Sequence, residues 1–334
     1  PQEAQACGGG GYSPNFIDRN QPNVLPLELL ASKFRGDDYF RMGHWDQSDT
    51  EADAFESMNL KDWAAYFGTD IDTARSRVYR REGISSLSRE VRSYLDFVHT
   101  HEGLVSQDTY WLRTDGTEQE KLAIAAQFDI AFAEARAALE RTRDPFIRLR
   151  WLFVGMRLAH YSMQYDSELE LYEQHSPALK GEASLEDSEV WHWVDALLAG
   201  RAKVLARTSR EQAEAAYRFA LLFDASVSKR TEAWISFSIR TDEEWQMLME
   251  LAQDDEERAL MHVIRALHTS ADRLSELRFI LDLAPDSPWV NELMAWELEY
   301  AQIAGEEHMV AFRSLIDDIV SKEKRSDLFL ARFA

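Results

Sequence analysis

Along most of the chain the apolar residues recur at intervals of three and four. In PFIRLRWLFVGMRLAHY, Phe146, Leu149, Leu152, Met156 and Ala159 form one stripe, and Ile147, Trp151, Val154 and Leu158 widen it. That pattern predicts a helix buried on most of its sides. In SREQAEAAYRFALLF, Ala213, Ala216, Tyr217, Ala220 and Leu221 line a face of small residues around one aromatic, which lets two helices approach closely. Helix starts are marked repeatedly. Thr117 to Glu120, Ser209 to Gln212 and Thr241 to Glu244 have the capping-box form, in which a hydroxyl and an acid or amide three residues on satisfy the first free N–H groups. Asp144-Pro145 and Ser287-Pro288 add two starts with proline at the first helical position. No segment alternates with period two, and AWISFSIR, from Ala233, reads as helix after Ser228. The chain is therefore expected to be all-α, with roughly 14 to 17 helices.

These helices read as hairpins. RLAHYSMQYDSELELYEQHSPA breaks near Ser162 to Gln164 and reopens at Tyr165, with Leu169 and Tyr172 on one face. LLAGRAKVLARTSREQAEAAYRFALLFD repeats the plan, and the stretch from Ala266 to Ala301 repeats it again across Pro285 and Pro288. Ala213, Tyr217 and Ala220, with Leu277, Leu281 and Pro285, resemble the second helix and closing proline of the tetratricopeptide repeat. The resemblance covers about residues 117–303, though the spacing exceeds the standard period of about 34 residues and the Trp-Leu-Gly signature is missing. It implies a right-handed α-solenoid of stacked hairpins with a concave surface for other polypeptides. In its Cys-Gly start, acidic helical body and degenerate repeats, the chain is also similar to uncharacterised exported helical-repeat proteins of bacteria.

Glycine and proline concentrate in the first 45 residues. Residues 1–24 read as an extended Gly/Pro-rich arm, 25–115 as a helical region with a polar loop, and 116–334 as the repeat region. The closing SKEKRSDLFLARFA reads as helix, with Leu328, Phe329, Leu330 and Phe333 either docking on a partner or leading into a longer chain.

Charge narrows the partners. A formal net charge of −22 over 334 residues repels nucleic-acid phosphates and anionic headgroups, so nucleic acid is excluded as a partner. The apolar fraction of 45% places the chain among folded proteins. A single cysteine rules out an internal disulfide framework, and no run of about 18 apolar residues offers a membrane span.

That cysteine, Cys7, stands after Ala6 and before four glycines. Small residues before a cysteine and a flexible tether after it are features of a bacterial lipid anchor. An unmodified arm cysteine and an intermolecular contact remain the alternatives. FVHTHEG brings His99, His101 and Glu102 together, a weak metal candidate, because ligands two apart on a helix diverge unless the helix ends there. Glu189 and His192 have the Glu-x-x-His spacing of di-iron bundles without the second motif such centres need. Asp254 to Arg258, DDEER, reads as the acidic first turn of a helix. Of ten tryptophans, Trp151, Trp289 and Trp296 have core spacing, whereas Trp45, Trp63, Trp111, Trp191 and Trp193 are candidates for a stacking platform. GHWDQSD places His44, Trp45, Asp46 and Asp49 in a polar loop suited to interaction.

No Gly-rich phosphate loop, serine elbow or HExxH is present in the sequence, and no cofactor is expected. The sequence thus points to a non-enzymatic scaffold or docking protein at the cell envelope. That placement is periplasmic, outer-membrane-associated or extracellular, with a cytoplasmic one left open. The competing expectation is a helical α/α-toroid acting on carbohydrate through acids such as Asp46, Asp49 and Glu51, or a carbohydrate- or peptide-binding subunit.

Overall fold

The structure is a computed structural model describing residues 50–105, 112–267 and 272–321. The described residues are all-α and contain no strand. They fall into two compact units, one formed by Glu51–Ala206 with Ser228–Glu232, the other by Arg207–Val227 with the described residues from Ala233 onward.

The first unit carries α1 (Thr50–Phe67), α2 (Ile71–Val78), α3 (Arg89–His101), α4 (Glu118–Arg141), α5 (Pro145–Tyr161), α6 (Tyr165–Lys180) and α7 (Val190–Leu205). Its hub is α5, which packs against α3, α4, α6 and α7. This is why the stripe from Phe146 to Ala159 spreads round the helix: Ile147, Leu149, Trp151, Leu152, Met156, Leu158 and Ala159 are all buried. Full burial of one such aliphatic side chain is worth about 1.5–3 kcal/mol.

The start of α5 is held by several polar contacts. Asp144 Oδ1 accepts from the Ile147 N–H at 3.2 Å, Tyr66 donates to Asp144 Oδ2 at 2.7 Å, and Glu90 accepts the N–H groups of Arg143 and Asp144. The capping box of α4 forms as expected, with Thr117 and Glu120 each accepting the other's N–H. One turn into α5, buried Arg150 lies over the rings of Trp63 and Phe146, donates to Asn59 at 2.8 Å and stands 3.6 Å from Asp62. Burial pushes the Asp62 carboxyl up, and the Arg150 charge opposes the rise.

The expected break between α5 and α6 falls at Ser162, Met163 and Gln164. Met163 takes φ 64°, the left-handed region that favours glycine, and this closes the turn within three residues. Behind the turn the two helices come close. A Cβ on Gly155 would lie 3.1 Å from Leu171 Cδ1, so the glycine sets how near α6 approaches.

The second unit carries α8 (Ser209–Ala225), α10 (Asp242–Leu251), α11 (Asp255–Ala266), α12 (Arg273–Leu283), α13 (Trp289–Ala304) and α14 (Glu306–Ser321), with α9 (Arg230–Ser236) crossing the division between units. Here α11 pairs with α12, α12 with α13, and α13 with α14, while α8 packs on α10 and α11. The small face of α8 is buried as expected at Ala213, Ala216 and Ala220.

Several local expectations shift. The capping box of α8 is formed by Thr208 and Glu211, one residue before the expected Ser209 and Gln212, because glutamate reaches back to the N–H groups of Arg207 and Thr208. At α10 Thr241 caps the Glu244 N–H, but Glu244 turns back to Arg240 N instead of closing the box. α13 begins at Trp289, so Pro288 sits just outside it. AWISFSIR is helical only to Ser236. α7 belongs to the first unit, and within the second α8 packs on α10 and α11.

Candidate functional site

Among the described residues, three hydrogen-bonded histidine–glutamate pairs cross from one helix to the next. His160 Nδ1 in α5 lies 3.0 Å from Glu168 Oε2 in α6, and His262 Nδ1 in α11 lies 2.6 Å from Glu276 Oε2 in α12. His308 Nε2 in α14 meets Glu297 Oε1 in α13. In the first two, histidine lies towards the end of the earlier helix and glutamate in the first turn of the later one. The negative charge there sits by the positive end of a helix dipole.

The His160–Glu168 pair differs in its surroundings. Both side chains have zero exposure, and His160 Nε2 and Glu168 Oε1 have no hydrogen-bond partner. Burial pushes the Glu168 carboxyl above its usual range, while the bond to His160 and the charge of Arg201 pull it back. Arg201 itself donates to the Tyr165 carbonyl at 2.9 Å, tying α7 to the start of α6. Tyr161 and Tyr165 stand edge-on to the imidazole, with centroids 5.7 and 5.5 Å away.

This pair borders a cavity of about 450 Å³ within the first unit, a volume that suits a small ligand or one large side chain. Phe128 and Ala125 of α4 form one wall, and Tyr161, Tyr165 and Val204 another. Met163 stands at its rim with 65% of its surface exposed. Arg113 and Lys121 bring positive charge, and Asp129 is occupied by a 2.8 Å bond from Gln164. His160 lines the cavity and Glu168 does not. No part of the imidazole is exposed, so Nε2 is sealed from the cavity that the residue borders. Chemically, the arrangement is a mostly apolar recess with Arg113, Lys121 and Asp129 in its lining, backed by a sealed histidine–glutamate pair.

The residues singled out by sequence lie elsewhere. Cys7, His44, Trp45, Asp46, Asp49, Trp111 and the closing segment from Lys322 fall outside the described residues. His99 and Glu102 are exposed, and His101 turns to Glu134 at 3.7 Å and packs against Phe97. Among the described residues, no group of three or more His, Cys, Asp and Glu is placed to hold a metal ion. The remaining tryptophans of the expected platform are structural. Trp63 and Trp193 are buried, Trp191 donates to the Leu185 carbonyl, and Trp193 donates to Ser228, which donates to Glu189.

The repeat positions Ala213, Ala220, Leu277 and Leu281 are buried. Tyr217 is half-buried and donates to Glu257 at 2.8 Å, its hydroxyl pushed up to about 12 by burial and by that carboxylate. Pro285 lies in the connection between α12 and α13. The DDEER acids cap α11, with Asp254 accepting the Glu257 N–H.

No signal in the sequence marks His160 and Glu168 as partners, since their pairing depends on the turn at Met163. The one trace is a histidine set in an otherwise apolar helix. No helix of the described residues is long and apolar enough to cross a membrane. Compared with family models, with curated proteins and with solved structures, the chain matches none.

Proposed function

We propose that the protein is a non-enzymatic docking protein that binds a segment of another polypeptide, its hairpins stacked as a tetratricopeptide-like α-solenoid and one side chain of the partner entering the cavity beside His160. The observation that carries this reading is Met163. A large apolar side chain is held exposed at the cavity rim in a left-handed conformation. Strain of this kind is retained where the residue serves a contact, and methionine adapts to varied apolar surfaces. Arg113 supports the same reading as a cation in the lining of a recess on a strongly acidic chain, where Lys121 pairs with Glu118 at 3.3 Å.

The test is selection of a random peptide library on the immobilised full chain, repeated on Ala125→Trp. Ala125 is an exposed wall residue, so the indole enters the cavity without overpacking the core. Peptides enriched on the natural chain and lost on the variant support the reading. Enrichment of no peptide, or of the same peptides on both, overturns it. Placement at the cell envelope through an acylated Cys7 belongs to the same proposal. It is tested by the mass of the N-terminal peptide from native material: acyl chains on Cys7 support it, and a free internal thiol ends it.

A further inference from the structure

We infer that the partner segment docks as a helix, laying an apolar face with basic flanks along the outer side of α4. The inference rests on the docking reading and names the kind of segment that it takes.

The first observation is the outer face itself. α4 packs on α5 and on the 3-10 turn Glu102–Val105, and its inner side, with Phe128, Phe132 and Leu139, is buried. The opposite side carries Leu122, Ala126, Ile130, Ala133 and Ala137, spaced by three and four with no charged residue among them. Leu122 is 71% exposed and Ile130 65%, and Ala126 and Ala133 are exposed beside them. Single exposed leucines are ordinary. A stripe that runs for about 22 Å along one helix is a surface suited to a partner. Helix propensity does not account for Ile130 either, since isoleucine is a weaker helix former than alanine or glutamate.

The second observation selects a helix over an extended segment. Along the stripe the backbone N–H and C=O groups are used inside α4, so a strand laid there would find no main-chain partner. A second helix brings its backbone already satisfied and needs only side-chain packing. Ala126, Ala133 and Ala137 leave room beside Leu122 and Ile130 for the larger side chains of that helix, with the axes as close as about 8 Å. The cavity lies along one flank of the stripe, because α4 also gives it Lys121, Ala125, Phe128 and Asp129. A helix on the stripe therefore passes beside the recess that takes one of its side chains.

Charge selects the partner. Lys121 is answered by Glu118 at 3.3 Å, and Arg136 by Glu140 at 3.9 Å and Glu170 at 2.9 Å. Those three carboxylates, and Glu134 on the other flank, are each more than half exposed. Arg141 stands beyond the last position of the stripe. Carboxylates thus exceed cations along the flanks of a chain whose net charge is −22, and lysine or arginine beside the partner's apolar face complements them. A second copy of the chain would set −22 against −22, and antiparallel pairing centred on the stripe would bring Asp129 beside its own copy.

The test is the library selection with 16-residue peptides, followed by titration of the enriched peptides into the full chain and into the double variant Leu122→Gln, Ile130→Gln. Both positions are exposed, so melting is expected to be unchanged. Enriched peptides are expected to carry apolar residues three and four apart with lysine and arginine in excess, a pattern read on the natural chain whatever the variant does. In the double variant their affinity is expected to fall at least about tenfold. Peptides with alternating apolar positions, or affinity unchanged in the double variant, overturn the inference, and the docking reading stands if Ala125→Trp still abolishes binding. Peptides lost on the double variant and kept on Ala125→Trp support the helical face and overturn the cavity. Enrichment of no peptide overturns both. A natural chain that sediments as a dimer, with the double variant a monomer, gives the face to a second copy and overturns the inference. So does about a tenfold gain in peptide affinity on Leu328→Glu, which would assign the face to the chain's own closing segment.

Discussion

The His160–Glu168 and His262–Glu276 pairs join consecutive helices in the same way, yet their surroundings satisfy them to different degrees. Glu276 is shared: His262 takes one oxygen at 2.6 Å and Arg265 the other at 3.3 Å. Phe279 stacks on the His262 ring at 4.8 Å, and Trp245 meets it edge-on under the Arg265 guanidinium. No buried atom of that pair is left without a partner. Glu168 has no arginine in contact, and the pair leaves one orphaned atom on each member, with a cavity alongside. A saturated pair holds a hairpin shut. An unsaturated pair sealed from the neighbouring volume holds the hairpin at a cost, one buried atom on each member lacking a partner.

The largest expected effect tests the saturated pair. Glu276→Ala leaves buried His262 and half-exposed Arg265 unpaired and is expected to cost about 3 kcal/mol, the low end for breaking a buried pair because solvent screens Arg265. Denaturant unfolding measures it, and a loss equal to that of Glu168→Gln breaks the comparison.

The unsaturated pair is tested by pH. The folded-state value of Glu168 is raised by burial, so the folded chain holds that proton more tightly than the unfolded chain. Its contribution is fully present below the ordinary carboxylate range and is lost as pH rises through the raised value. Glu168→Gln keeps an acceptor for the imidazole and has no proton to lose. It is expected to change stability at neutral pH by no more than about 1 kcal/mol, and to remove the decline expected of the natural chain above about pH 4. An unchanged pH profile would show that Glu168 is ionised throughout.

The smallest effect concerns the rim. Met163→Gly relieves the left-handed backbone but loosens the unfolded chain, for a net gain of about 0.5 kcal/mol. Peptide binding is expected to weaken as stability rises, and thermal melting beside a binding titration reads both. Stability and binding falling together would make Met163 a structural residue instead.

Much of the helical plan was legible because its signals are local. Thr117, Asp144, Thr241 and Asp254 all cap the helices that follow them. The three- and four-residue spacing in α5 announced burial on several sides, and four packed helices account for it. Errors of one residue, as at Thr208, came from two adjacent hydroxyl residues competing for one cap.

The site was not legible, because it depends on geometry that no spacing encodes. His160 and Glu168 are eight residues apart, farther than neighbours on a single helix face. Only the left-handed turn at Met163 makes them partners. The Glu-x-x-His motif at Glu189 and His192 looked more like a site. There the glutamate instead accepts from Ser228, completing a hydrogen-bond chain from Trp193.

The account stands or falls on whether the cavity beside His160 takes the partner. The direct measurement is calorimetric titration of the most enriched peptide into the natural chain and into Ala125→Trp, with the melting temperature of each recorded. At least about a tenfold loss of affinity in the variant, with melting unchanged, is the predicted result. Equal affinity in a variant that melts like the natural chain would place the partner elsewhere and contradict the account.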